Sequence, residues 1–173
     1  GVVESVQGIS WTEYTVTGVS NHAGTTPMRL RRDAGYLASS VNVFARQLAC
    51  EMGGDQVATV GSVVFRPNLI NVVPNRAIFT VDLRNTDETK LKAAEARVAA
   101  HIAEVAAAER VEVEAKVLAR FEPVIFDAGL VDRVERHAKA LSLSTRRMPS
   151  GAGHDAQMMQ RICPTAMIFV PSV

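Results

Sequence analysis

The sequence has little charge of either sign to spare: nineteen Lys and Arg stand against eighteen Asp and Glu, a net charge of +1. A chain this close to neutral has no overall field to hold a phosphate backbone or an anionic membrane, so nucleic-acid binding would need a local basic stripe. None is evident beyond Arg29, Arg31 and Arg32. Cysteine is scarce too. Cys50 and Cys163 show neither a CxxC nor a Cys/His ligand spacing, which points to a reduced, cytoplasmic protein. No apolar run approaches the ~20 residues of a membrane-spanning helix, and the N-terminus lacks a basic-then-apolar signal pattern. What is present, 47% apolar and 21% charged residues over 173 positions, is the balance of a globular chain that can bury a core. The chain opens on Gly1 without Met and stops just after the strand-like run Ala166 to Val170, so a fragment is expected.

Patterning predicts two kinds of structure. β-branched and aromatic residues from Ile9 to Gly18 read as a strand, and 19–32 as a loop. Asp33 caps a helix to about Met52, where Tyr36, Leu37, Val41, Phe44 and Leu48 recur on one face. Strands follow at Val57 to Phe65 and Ala77 to Leu83, then a helix from Thr86 or Asp87 to about Glu109, and a strand at Val111 to Leu118. Strand, helix, strand, strand, helix, strand is the order of an α+β ferredoxin-like (split βαβ) unit, an antiparallel sheet with two helices on one face. After Phe121 the pattern changes to a helix at 128–141, an extended piece near Arg146, a turn at Ser150 to Gly153, a helix at 154–162 and a strand at Thr165 to Val170. That strip of α/β structure has too few strands for a doubly covered sheet and should pack on a segment absent here or on a partner chain.

Three constellations carry candidate chemistry. Ser20-Asn21-His22-Ala-Gly24-Thr25-Thr26-Pro27-Met28 sets one imidazole among small polar loop residues, where His22 can donate to a developing oxyanion or act as acid or base. The same histidine could simply satisfy turn carbonyls. Asn71 lies in an irregular segment and Arg84 at a strand end, so both could point past the sheet edge at one ligand, with Arg84 gripping a carboxylate. Against this, Asn71 could hold its own turn and Arg84 could pair with Asp82 or Asp87. Ser150-Gly151-Ala-Gly153-His154-Asp155 puts two glycines before a helix, leaving room for a ligand near free amides, with His154 at the mouth. It also fits an ordinary turn and cap, and the adjacent His154 and Asp155 diverge too far on a helix to share one ion. His101 and His137 read as surface residues of solvated helix faces.

Taken together, Gln7-Gly-Ile-Ser-Trp11, Asn21-His22-Ala-Gly-Thr-Thr-Pro-Met28, Arg31-Arg-Asp33, Asn71-Val-Val-Pro74, Asp82-Leu-Arg84, Ser150-Gly-Ala-Gly-His-Asp-Ala156 and Pro164 to Ser172 resemble the N-carbamoyl-L-amino-acid hydrolase family. Its relatives include β-ureidopropionase and allantoate amidohydrolase, within the aminoacylase-like dinuclear metallohydrolases. The resemblance implies a lid and dimerisation domain at residues 9–120, flanked by catalytic-domain segments at 1–8 and 121–173, the latter incomplete. It implies a homodimer joined through the lid, acting on a small carbamoyl or ureido acid; the cytoplasmic location and the expectation of no nucleic acid and no membrane come from charge, cysteine usage and hydropathy. It also implies two divalent ions (Zn, Mn, Co or Ni) whose ligands lie outside this chain. By the same resemblance His22 stabilises the oxyanion in the neighbouring subunit's site, Asn71 and Arg84 bind the substrate carboxylate, and Gly153 with His154 contacts substrate. The alternatives are a non-catalytic lid module, an allantoate amidohydrolase, or an aminoacylase or peptidase of the same superfamily.

Overall fold

The computed structural model describes residues 1–171; Ser172, the last residue of the final motif, and Val173 lie outside the described residues. Two sheets share the chain. The larger takes β2 (Gly8–Thr17), β3 (Val57–Arg66), β4 (Arg76–Asn85) and β5 (Glu112–Phe121) in the order β3-β4-β2-β5, every neighbouring pair antiparallel. With α1 (Ala34–Met52) and α2 (Glu88–Glu109) this is the ferredoxin-like order that the sequence pattern predicts.

Local chemistry sets both helix starts. The Asp33 carboxylate accepts from the amides of Gly35 and Tyr36 at 2.8 and 3.1 Å, and Asp87 accepts from Lys90 at 3.0 Å, satisfying donors with no partner inside the helix. Gly53, at φ 60°, ends α1. The helices bury Leu37, Val41, Leu48, Leu91 and Val98 against Val16, Ala77, Phe79, Val81 and Leu83 of the sheet. Strand alternation then turns Ile9, Trp11, Asp82 and Arg84 to the opposite, helix-free face. One expectation fails here: His101 is not a plain surface residue. Its ring stacks on Phe44 with centroids 4.2 Å apart, and its Nε2 lies 3.2 Å from the Ser40 hydroxyl, so it is part of the contact between α1 and α2.

The smaller sheet is centred on a strand that the pattern analysis did not resolve. β1 (Val2–Val6) pairs in parallel with β7 (Arg147–Ser150), and antiparallel with β6 (Val124–Ile125) at one end and β8 (Met167–Ile168) at the other. Val2, Val3 and Val6 pack with Phe126 and with Val131 of α3 (Ala128–Ala140) in a second core. The strip after Phe121 therefore packs on residues 2–6 of this same chain rather than only on something absent. The expected strand at 165–170 is paired only at Met167–Ile168, and the helix expected at 154–162 is the five-residue α4 (Asp155–Met159). Beyond it the chain winds through tighter turns, Arg161 N–H to the Met158 carbonyl and Ile162 N–H to the Met159 carbonyl, before Pro164 forbids helix.

The two sheets are joined at one corner, where β1 runs into β2 through Gln7 and β5 into β6 through Glu122 and Pro123. Gly8 is required there: a Cβ on it would lie 2.7 Å from Pro123 and 2.9 Å from Leu91.

Candidate functional site

His22 and Asn71 are neighbours. The loop 19–33 and the segment before β4 meet in short antiparallel contacts: His22 pairs with Val72, the Ala23 amide donates to the Asn71 carbonyl at 2.8 Å, and the Val73 amide to the Asn21 carbonyl at 2.9 Å. Arg31 laces the loop from within, donating to the carbonyls of Ala23 and Thr26 at 2.6 and 3.2 Å. The Gly24 amide donates to His22 Nδ1 at 3.1 Å. An imidazole that accepts at Nδ1 carries its proton on Nε2 when neutral, so the outer edge of this exposed ring is a hydrogen-bond donor. Met28 and Leu30 on the loop and Leu69 and Ile70 on the segment before β4 are exposed, Ile70 completely. Several large apolar side chains exposed on two short paired segments are unusual on a surface that meets only water.

Arg84 sits at the other end of β4. Asp82 holds one edge of its guanidinium, with Nε 3.0 Å from Oδ1 and Nη2 2.7 Å from Oδ2, while Nη1 donates to the Gly151 carbonyl at 2.7 Å. Its Cζ is 5.7 Å from the Trp11 ring centroid. The Asp82 hydrogen bond raises the Arg84 pKa above the usual arginine range, against a smaller opposing effect of burial. The glycine turn that receives Nη1 is tied down: Ser150, fully buried, accepts from the Ala152 amide and donates to the Ala152 carbonyl, and its own carbonyl accepts from Gln7 N–H. His154 precedes α4, exposed, with its ring tilted against Phe169 at 5.9 Å. Five residues make too short a helix for the anion-binding mouth expected at this turn.

Arg84, Gly153 and His154 line one cavity of about 480 Å³ together with Ile9, Trp11 and Phe121. That is the size of a small-ligand site. Asn71 and Arg84, read from sequence as pointing at one ligand, are not brought together within this chain. Arg76 and Arg84 bound nearly the whole of β4, which at about 3.4 Å per residue separates them by roughly 27 Å, and Asn71 lies before Arg76. Asp82, which holds the Arg84 guanidinium, is legible in the sequence only as one of two possible ion-pair partners for it. The divalent ions implied by the resemblance do not fit these residues alone, because among the described residues no three His, Cys, Asp or Glu side chains come together. No helix among the described residues is long and apolar enough to cross a membrane.

Comparison with known proteins gives this geometry a setting. The model of the peptidase family M20/M25/M40 matches residues 10–173. The chain is 38% identical over 173 residues to an N-carbamoyl-L-amino-acid amidohydrolase of Rhizobium meliloti and 37% identical over 173 residues to an allantoate amidohydrolase of Escherichia coli (strain K12). In both cases the match takes in 100% of this chain but 42% of the relative. Among solved structures, an amidase of the hydantoinase/carbamoylase family from Burkholderia multivorans superposes with a TM-score of 0.93 at 38% identity, over 98% of this chain and 41% of that one. The sequence thus spans well under half the length of the relatives it matches.

Proposed function

The chain belongs to peptidase family M20/M25/M40, and from that premise we propose that it is the substrate-gripping part of a metal-dependent amidohydrolase that cleaves a linear amide C–N bond in an N-carbamoyl-L-amino acid or related ureido acid, releasing ammonia and CO2. Residues 9–120 act as a lid and dimerisation domain, and residues 1–8 and 121–173 belong to the catalytic domain. Support comes above all from the way the candidate residues divide: Arg84, Gly153 and His154 around one cavity, His22 and Asn71 at the far end of a ten-residue strand. A small substrate cannot span both groups in one chain. Two copies can complete each site, one supplying the cavity and the other the imidazole with the exposed apolar residues of its two paired segments.

In this reading Arg84 takes the substrate carboxylate, exchanging the Gly151 carbonyl on Nη1 for a carboxylate oxygen while Asp82 keeps the guanidinium plane fixed. His22 of the partner copy donates from Nε2 to the oxygen that gains charge at the scissile carbon, its tautomer set by the Gly24 amide. Asn71 travels with it as a second polar contact. The edge strand β3 supports pairing of copies, since Val57, Val63 and Val64 on it and Val43 on α1 are exposed apolar residues beside an unpaired sheet edge. The metal ligands are supplied by residues outside this sequence, so the 173-residue chain alone binds substrate without turning it over. Exposed, unbridged Cys50 and Cys163 suit a reducing cytoplasm.

Complementation tests the shared site. Assayed well below the wild-type KM, His22→Ala and Arg84→Ala versions of the full-length enzyme are each nearly inactive, yet co-refolded in equal amounts they recover activity: half of the dimers are hybrids with one intact site of two, about a quarter of wild type. Recovery no greater than that of either variant alone would show that both residues serve the same chain's site.

A further inference from the structure

The cavity at Arg84 carries exposed apolar surface, and we propose that this surface, built by Trp11, Phe121 and Met158, selects substrates with a bulky apolar side chain next to the carboxylate. This rests on the reading of Arg84 as the carboxylate anchor and goes beyond it, since that anchor alone does not tell an N-carbamoyl amino acid from allantoate.

Three observations carry the inference. Trp11, Phe121 and Met158 come from three different elements, β2, β5 and α4, and converge on one cavity of about 480 Å³. Each keeps 37 to 41% of its surface exposed although Ile9, beside them, is only 6% exposed, so the wall is open apolar surface inside a concave site rather than core. The guanidinium lies against this wall, its Cζ 5.7 Å from the Trp11 ring centroid, and His154 and Gly153 line the same cavity. A ligand whose carboxylate meets Arg84 brings the substituent next to that carboxylate within reach of the indole. A second ureido group, as in allantoate, would be pressed against Trp11, Phe121 and Met158 and would give up its water without replacement. A phenylalanine- or leucine-like side chain loses nothing there and gains apolar contact.

The test uses the full-length enzyme with N-carbamoyl-L-phenylalanine, N-carbamoylglycine and allantoate, measuring Kd by calorimetry and kcat/KM by ammonia release. Wild type is expected to favour the phenylalanine compound over the glycine compound on the order of tenfold or more in both quantities, with allantoate weakest. Trp11→Ala should reduce that ratio to within threefold of unity, and Met158→Ala, on a separate element, should reduce it part of the way. Glycine or allantoate substrates accepted as well as the phenylalanine one, or a ratio unmoved in both variants, overturns the proposal. Arg84→Ala separates it from the reading beneath: that variant should weaken all three ligands by a common factor. Carboxylate binding that survives Arg84→Ala refutes the anchor, whereas the wall is judged by the phenylalanine-to-glycine ratio in Kd, which is readable even where turnover is absent.

Discussion

Arg84 shows how a single side chain can be held ready without being used up. Asp82 occupies its Nε and Nη2 edge, and the remaining donor at Nη1 rests on a backbone carbonyl, a neutral acceptor that a carboxylate can displace. Arg84→Ala is therefore expected to raise KM by an amount equivalent to about 2 to 4 kcal/mol of binding, with a smaller effect on kcat. Asp82→Ala should raise KM as well by freeing the guanidinium to rotate, and Asp82→Asn, which keeps one acceptor, should restore part of the loss; steady-state kinetics on the three variants would show it. His22→Ala belongs to a different class, with turnover falling roughly 10²-fold or more if its Nε2 proton meets the oxyanion. A raised KM with normal kcat would reassign it to binding. At this scale the sequence was informative about residue type and silent about direction. The Arg84–Asp82 pair was one of two ion pairs open to it, but the Gly24 contact that sets the imidazole tautomer depends on how a loop closes, which no spacing rule reports.

At the scale of elements, one glycine matters more than its neighbours. A Cβ on Gly18 would sit 2.1 Å from the Arg32 carbonyl oxygen, because the end of β2 and the end of the His22 loop are drawn together there, Val19 N–H donating to that same carbonyl at 3.0 Å. Gly18→Ala must push Arg32, and with it the Asp33 cap of α1, and is expected to cost on the order of 1 to 3 kcal/mol in chemical denaturation. Gly61, with nothing within 4 Å of its Cβ position, is the control: Gly61→Ala should stay within about 0.5 kcal/mol of wild type. Long periodic elements were readable because α1 and α2 advertise both their buried faces and their Asp caps. β1 was not, since five residues carry no periodicity of their own and β6, β7 and β8 come from chain more than a hundred residues away. The overlong estimate for α4 has the same root: a helix-compatible run ends wherever turns and Pro164 end it, not where its composition changes.

For the molecule as a whole, two separate cores imply two separable stabilities. The larger sheet and its helices bury Phe79, Leu37, Leu48 and Leu91 among themselves, without help from the smaller sheet. Residues 8–121 expressed alone are expected to fold and unfold cooperatively, with coincident melting followed by circular dichroism and by tryptophan fluorescence of Trp11. A non-cooperative melt would mean that the smaller sheet is needed to hold the larger one. The split βαβ order was legible from alternating periodicity, but the distance between its two candidate groups was not, because sequence places Asn71 and Arg84 near each other while β4 carries them apart. The corner described by Gly8 and Pro123 has one more implication. Ile9 and Phe121 face each other across neighbouring strands, so the first and last residues of the larger unit are side by side. A module whose two ends coincide can be cut out, circularly permuted or spliced into the surface turn of an unrelated host as a cassette, leaving the host's own path almost undisturbed.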